Sequence, residues 1–221
     1  RATMLKAAST GQRQLCRGQG AELVWQQNPA PLKSVEVLDI FRKKTAPAFE
    51  VALHLGAIYA GQEQHEEVSE VLAAYSENLG IAYQIRDDLS DLGAEGETND
   101  LASLRPSLLL AIGHERAKDE QKEILTSVWR RQLPENVTFA DIETMYTQLK
   151  AIDRADTLLA TYKEEAVRSL RELENASLKG LLRRVVGKIF NETIVKGWCS
   201  ETQSLSELEK VREQNGATIV A

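Results

Sequence analysis

Apolar residues recur at intervals of three and four along nearly the whole chain, and no segment of any length alternates apolar with polar. That period belongs to amphipathic helices. Residues 4–27 read as a polar, Gln-rich helix interrupted by Gly18 and Gly20, and the Asn28-Pro29-Ala30-Pro31 run reads as a turn. Ser34 is expected to cap a helix from about residue 35, with Val37, Leu38, Phe41, Val51, Leu55 and Ile58 on its apolar face and Gly61 at its end. A long helix is predicted over about 65–92, carrying Val68, Leu72, Leu79, Ile81 and Ile85. Residues 93–104, with Gly93, Gly96, Thr98, Asn99 and Asp100, read as a loop. Helices follow over 108–113 and 115–132, with a break at Leu133-Pro134, and one helix is predicted over 139–173. Leu178, Leu181, Leu182, Val185, Val186, Ile189 and Phe190 mark a core helix, with Trp198 packing at its end. Residues 203–221 read as a polar tail or a final short helix.

Composition supports the helical pattern. Aromatic residues are 5% of the chain while Ala, Leu and Glu abound, which favours helices over a β-sandwich. The 221 residues suffice for one domain with a real core. A formal net charge of -6, with no basic stripe among aromatics, argues against a general nucleic-acid surface. The longest apolar run, residues 108–112, is far short of the roughly 18 residues needed to cross a bilayer. Cys16 and Cys199 have no metal-finger spacing and read as buried or inert thiols in a reducing compartment. A cytoplasmic protein is therefore expected.

The densest chemistry lies in Gln84-Ile85-Arg86-Asp87-Asp88-Leu89-Ser90-Asp91. At roughly 100° per residue, Gln84, Asp87, Asp88 and Asp91 share an arc of about 100° on one helix. Ile81, Ile85, Leu89 and Leu92 fall on the neighbouring arc and read as core. Three carboxylates this close repel one another. A hard divalent cation such as Mg²⁺ relieves that repulsion, because it takes oxygen ligands, usually one or two carboxylates plus substrate phosphates. The alternative is a solvated acidic face.

Two further segments are weaker alone. In Lys43-Lys44-Thr45-Ala46-Pro47, Pro47 cannot donate to the Lys43 carbonyl, so a kink near Thr45 is expected. A kink would free a carbonyl beside a hydroxyl and an ammonium. Lys44 would suit a phosphate as a point charge. The plainer reading is a surface lysine pair before a tolerated proline. Gly18-Gln19-Gly20-Ala21-Glu22 lacks the third glycine and the preceding strand of a dinucleotide fingerprint. Gln19 and Glu22, one turn apart, would line one cavity; the plainer reading is helix packing. His54, His65 and His114 are scattered, and no serine-nucleophile elbow exists.

Taken together, these segments resemble the trans-isoprenyl (polyprenyl) diphosphate synthase family. Gly18-Gln19 through Glu22 is similar to its Gly-Gln-x-x-Asp, with Glu for Asp, and Lys44-Thr45 is similar to its Lys-Thr pair. Residues 55–61 resemble the apolar stretch that follows. Leu79-Gly80-Ile81-Ala82-Tyr83-Gln84 through Asp91 resembles the second aspartate-rich motif, with Tyr83 for the usual Phe, and Asp100 fits the Asp in the loop beyond. The resemblance covers about residues 5–195. It implies an all-α bundle of long antiparallel helices around a central cavity, in a cytoplasmic homodimer. The implied reaction condenses isopentenyl diphosphate head to tail with an allylic diphosphate, with Mg²⁺ gripping the diphosphate. Asp87, Asp88 and Asp91 would then ligate metal, and Lys44 would contact diphosphate. Thr45, Gln84 and the carbonyl freed by Pro47 would stabilise the allylic cation. Gln19, Tyr83 and Arg105 join Lys44 as expected substrate contacts.

Two departures qualify this. The family carries an earlier Asp-Asp-x-x-Asp upstream of the Gln19 segment, and this chain has none; Asp153-Arg154-Ala155-Asp156 lies too far downstream with the wrong spacing. The chain also opens on Arg1, so the expectation is one all-α domain over 1–221, the later part of a longer protein whose N-terminal helices are absent, or a subunit whose partner supplies them. Glu97 stands where the family's loop carries a lysine, and Arg105 is expected to stand in. Both departures keep open a catalytically silent regulatory or scaffolding subunit of the same fold.

Overall fold

The computed structural model describes residues 1–61, 66–92 and 105–190. The chain divides into two compact units, Arg1–Lys179 and Gly180–Ala221. Among the described residues there is no strand. The helices are α1 (Ala2–Gln27), α2 (Ser34–Tyr59), α3 (Glu66–Ser90), α4 (Leu108–Arg116), α5 (Asp119–Trp129), α6 (Phe139–Gln148), α7 (Ala151–Ser169) and α8 (Ala176–Ile189), with a 3-10 turn at Leu170–Glu172. None is long and apolar enough to cross a membrane. The expectations for residues 93–104, including Glu97 and Asp100, and for His65, Trp198, Cys199 and 203–221 lie outside the described residues.

The core of the first unit gathers around α4. Every residue from Leu108 through Gly113 is buried. Val37 and Phe41 of α2, Ile81 and Ile85 of α3, Leu125 and Trp129 of α5, Ile142 and Tyr146 of α6, and Ala151 and Ala155 of α7 complete the cluster. A continuous apolar run suits a helix enclosed on all sides. Trp25 of α1 meets Trp129 edge to face, with ring centroids 5.5 Å apart.

Several boundaries differ from the sequence reading, each for a tertiary reason. α1 runs unbroken through Gly18 and Gly20. Gly18 is a contact: a Cβ there would lie 2.4 Å from the Lys43 carbonyl carbon and oxygen of α2. Gly80 of α3 plays the same part, since its Cβ would lie 2.7 Å from Cα and N of Ala46. α2 also continues without a break through the buried Pro47. The Lys43 carbonyl, deprived of a donor by Pro47, lies against Gly18.

Ser34 does not cap α2. The Lys33 amide donates to Glu36 (2.7 Å), while the amide and hydroxyl of Ser34 donate to Glu115 at the end of α4 (2.8 and 3.0 Å). The helix predicted from 115 begins at Asp119, because α4 extends to Arg116. The single helix predicted over 139–173 divides at Lys150, which adopts φ +53°. Arg116 pins that turn by donating to the carbonyls of Leu149 (3.0 Å) and Lys150 (2.7 Å). In the second unit, Leu182 and Val186 of α8 are buried, but Leu181, expected in the core, is 48% exposed.

Candidate active site

Gly18 and Gly80 mark close contacts of α1 and α3 with the backbone of α2. Next to Gly18, α1 carries Gln19 and, one turn on, Glu22; beside Ala46, α2 carries Lys44; one turn beyond Gly80, α3 carries Gln84. A cavity of about 440 Å³ opens there. Gln19, Glu22, Lys44, Gln84, Asp87, Asp88, Asp91 and Arg105 all line it. Periodicity and family motifs single out all of these in the sequence but Arg105, which is expected there only as a stand-in for the family's loop lysine. Ile40, Phe41, Ser90 and Pro106 complete the wall. Ile40 and Phe41 lie one turn from Lys44 and carry no chemical signal in the sequence, so only the structure could add them.

Thr45 and Tyr83 do not line the cavity. Thr45 is half-buried. The Tyr83 ring packs edge to face on Phe49 at 6.2 Å, and the Arg86 guanidinium sits 4.5 Å from its centroid. Lys43 is not among the lining residues either. Its carbonyl lies against Gly18.

The lysine pair divides its work. Lys43 and Arg42 both bind Asp39, each at 2.5 Å. Lys44 turns to the cavity, its ammonium 2.9 Å from Glu22 Oε2. Glu22 is 2% exposed, a carboxylate buried on α1.

The three aspartates occupy different environments. Asp87 is partly exposed and bound by Arg86 at 2.9 Å. Asp88 is buried, and its Oδ2 accepts the amides of Leu108 (2.6 Å) and Leu109 (3.1 Å). Those are the first free donors of α4; the Leu110 amide goes to Ser107 Oγ (3.2 Å). Burial pushes the Asp88 carboxyl up to about 6, against the lowering pull of the Leu109 amide, the Ser107 hydroxyl and the Leu108 amide, and the charge of Asp91 adds to the rise. Asp88 therefore anchors a helix with one oxygen. That cap spans twenty residues and gave no signal in the sequence.

The donor set can be tested against a metal. Among the described residues, no three of His, Cys, Asp and Glu stand close enough to hold an ion alone. Mg²⁺ asks for less: it keeps several waters and takes one or two carboxylates, with substrate phosphates completing its shell. Asp87 and Asp91, hard oxygen donors one turn apart on the cavity wall, fit that demand. Lined by Glu22, Asp87, Asp88 and Asp91 against Lys44 and Arg105, the wall carries four acidic and two basic groups, formally -2. A diphosphate is repelled by such a wall unless cations accompany it.

Comparison with known proteins agrees with this geometry. Geranylgeranyl diphosphate synthase of Sulfolobus acidocaldarius is 26% identical over 172 residues, covering 74% of this chain and 50% of that protein. All-trans-nonaprenyl-diphosphate synthase of Rhodobacter capsulatus is 27% identical over 177 residues, covering 77% and 52%. The chain thus spans about half the length of the curated relatives it matches. The crystal structure of a decaprenyl diphosphate synthase from Rhodobacter capsulatus shares the fold, with a TM-score of 0.74 at 20% identity over 86% of this chain and 60% of that one. The family model for polyprenyl synthetase matches residues 1–149, well over half of the chain, which therefore belongs to the polyprenyl synthetase family.

Proposed function

We propose that the protein catalyses the Mg²⁺-dependent head-to-tail condensation of isopentenyl diphosphate with an allylic diphosphate, giving a linear polyprenyl diphosphate. The observation that carries this reading is the meeting of Gln19, Lys44, Gln84, the three aspartates and Arg105 around one cavity, from three helices and the start of a fourth. Family membership supports prenyl-chain elongation as the reaction class.

In this reading the allylic carbon–oxygen bond breaks, the isopentenyl double bond supplies the new carbon–carbon bond, and the proton lost leaves with the released diphosphate. Asp87 near the end of α3 and Asp91 just past it would hold Mg²⁺, with Asp88 beside them on the cavity wall. Bound there, Mg²⁺ supplies charge neutralisation for the leaving diphosphate. Lys44 offers a point charge to the diphosphate, and Arg105 a second. Gln84 presents its amide oxygen toward the developing allylic cation. Such a preorganised dipole does not have to reorient as the charge appears. Thr45 and Tyr83, outside the cavity wall, would act from its margin. Ile40 and Phe41 give the prenyl chain an apolar surface beside the charged groups. A homodimer belongs to the same proposal, and the exposure of Leu5, Leu23 and Val24 on α1 supports a covered face there.

The test incubates the full-length protein with Mg²⁺, isopentenyl diphosphate and a series of allylic diphosphates, and follows prenyl chain length. Longer products are expected. Their absence with every pairing refutes the reading and favours a silent regulatory or scaffolding subunit. In the active protein, Asp87→Ala should lower turnover by about a hundredfold or more while leaving the thermal midpoint in place, because its side chain is 42% exposed and, among the described residues, pairs only with its neighbour Arg86.

A further inference from the structure

Lys44 shares a cavity with three aspartates, yet its ammonium is paired with a carboxylate on another helix. Glu22 Oε2 is fully buried and, among the described residues, has no hydrogen bond; the Lys44 ammonium at 2.9 Å is its compensation. A buried charge without such a partner is expensive, so the pair holds firmly. The backbone fixes its geometry. Gly18, one turn before Glu22, lets α1 press against the Lys43–Lys44 peptide, where a Cβ would come within 2.4 Å of the Lys43 carbonyl and 2.8 Å of the Lys44 nitrogen.

Lysine is a compact charge on a flexible four-carbon stem. Without a fixed anion of its own, it is drawn to the other carboxylates on the wall, which here are Asp87, Asp88 and Asp91. An ammonium lodged among them would neutralise ligands and set a positive charge where a divalent cation has to enter.

We propose that Glu22 is a positioning residue: its buried carboxylate holds the Lys44 ammonium against α1 and so leaves the aspartates of α3 open to a divalent cation. The inference rests on the reading of those aspartates as the cation site. It assigns Glu22 an influence on cation affinity that runs wholly through Lys44, without contact between Glu22 and the metal.

The experiment titrates Mn²⁺ into the full-length protein and follows the loss of the free-ion EPR signal. It compares wild type, Glu22→Gln, Glu22→Asp, Lys44→Met and the Glu22→Gln/Lys44→Met double variant. Glu22→Gln should weaken Mn²⁺ binding about tenfold or more, because at an effective dielectric of about 20 a unit charge even about 10 Å from the ion has that effect. Glu22→Asp should recover most of the affinity, and Lys44→Met should bind at least as tightly as wild type. In the Lys44→Met background, Glu22→Gln should change affinity by less than about twofold, which is the signature of coupling between the two residues. Unchanged binding in Glu22→Gln overturns the inference. So does equal weakening in both backgrounds, because Glu22 would then act by its own charge or as a ligand. Should Glu22→Gln fail to fold, Glu22→Ala with and without Lys44 completes the same cycle, and the same two results overturn the inference. A wild-type protein that takes up no Mn²⁺ overturns the cation site itself, and the positioning role with it.

Discussion

Asp88 sits where two demands meet, and two substitutions separate them. Its Oδ2 accepts the first two amides of α4, and the side chain lies in the protein interior. Asp88→Asn keeps an oxygen for those amides and removes the charge. Asp88→Ala removes both. The rise of the carboxyl to about 6 is the net of burial, which opposes the ionised form, and the hydrogen bonds from Leu109, Ser107 and Leu108, which favour it, so burial prevails. Asn escapes that cost but also gives up charge-assisted bonds that are roughly twice as strong as neutral ones. The two effects oppose each other, so Asp88→Asn should lie within about 1 kcal/mol of wild type.

Asp88→Ala leaves two buried amides unpaired, each costing about 1–2 kcal/mol, the scale of a lost helix cap. The alanine variant should therefore fall about 2–4 kcal/mol below the asparagine variant. At this chain length, about 2–4 °C of thermal midpoint follows each kcal/mol, so the two should melt roughly 5–15 °C apart. Circular dichroism melts at neutral pH, with urea titrations to confirm an unchanged m-value, make the comparison. If both variants melt within about 2 °C of each other, residue 88 does not hold α4 and the account of its buried oxygen is wrong.

The glycines of α1 give a second comparison. Gly18→Ala forces α1 off α2 and should cost about 1–3 kcal/mol as overpacking. Gly20→Ala meets nothing within 4 Å and should stabilise by about 0.5–1 kcal/mol through helix propensity; urea unfolding reads both, and equal effects would refute the contact. His114 carries a pH dependence. Burial lowers its pKa, the Lys122 charge lowers it further, and Glu115 opposes them. The folded state thus takes up this proton less readily than the unfolded chain. Its contribution is present above about 6.5 and is lost as pH falls through that value toward the lower folded one. The stability gap between wild type and His114→Gln should shift against wild type between pH 7.5 and 5.5, and a constant gap would contradict the assignment.

How much of this was legible follows from the range of each interaction. Helical periodicity acts within a few residues, and it put Gln84, Asp87, Asp88 and Asp91 on one face without any tertiary knowledge. It also marked the core positions Val37, Phe41, Ile81 and Ile85, all buried in the structure. Bringing Gln19, Glu22 and Lys44 to the same place needed the ordered motifs of a family, because no local rule joins residues on separate helices.

The misreadings share one origin. Gly18 has poor helix propensity, but the close approach of α2 requires it there, so the tertiary contact overrides the local preference. Ser34 is a favoured cap, yet Glu115, 81 residues away, takes its amide and hydroxyl. Lys150 lacks the glycine or asparagine that announces a left-handed turn, and Arg116 compensates from another helix. Asp88 shows the same competition inside the site. Its neighbours along the helix marked it for metal, while α4 claims one of its two oxygens from twenty residues away. The aspartates are therefore unequal: Asp87 and Asp91 are freer to meet an incoming cation, and Asp88 ties the acidic face to the helix at the centre of the core. Through Asp88 the acidic face is tied to the start of α4, and through Glu115 and Ser34 the end of α4 is tied to the start of α2, the helix that carries Lys44.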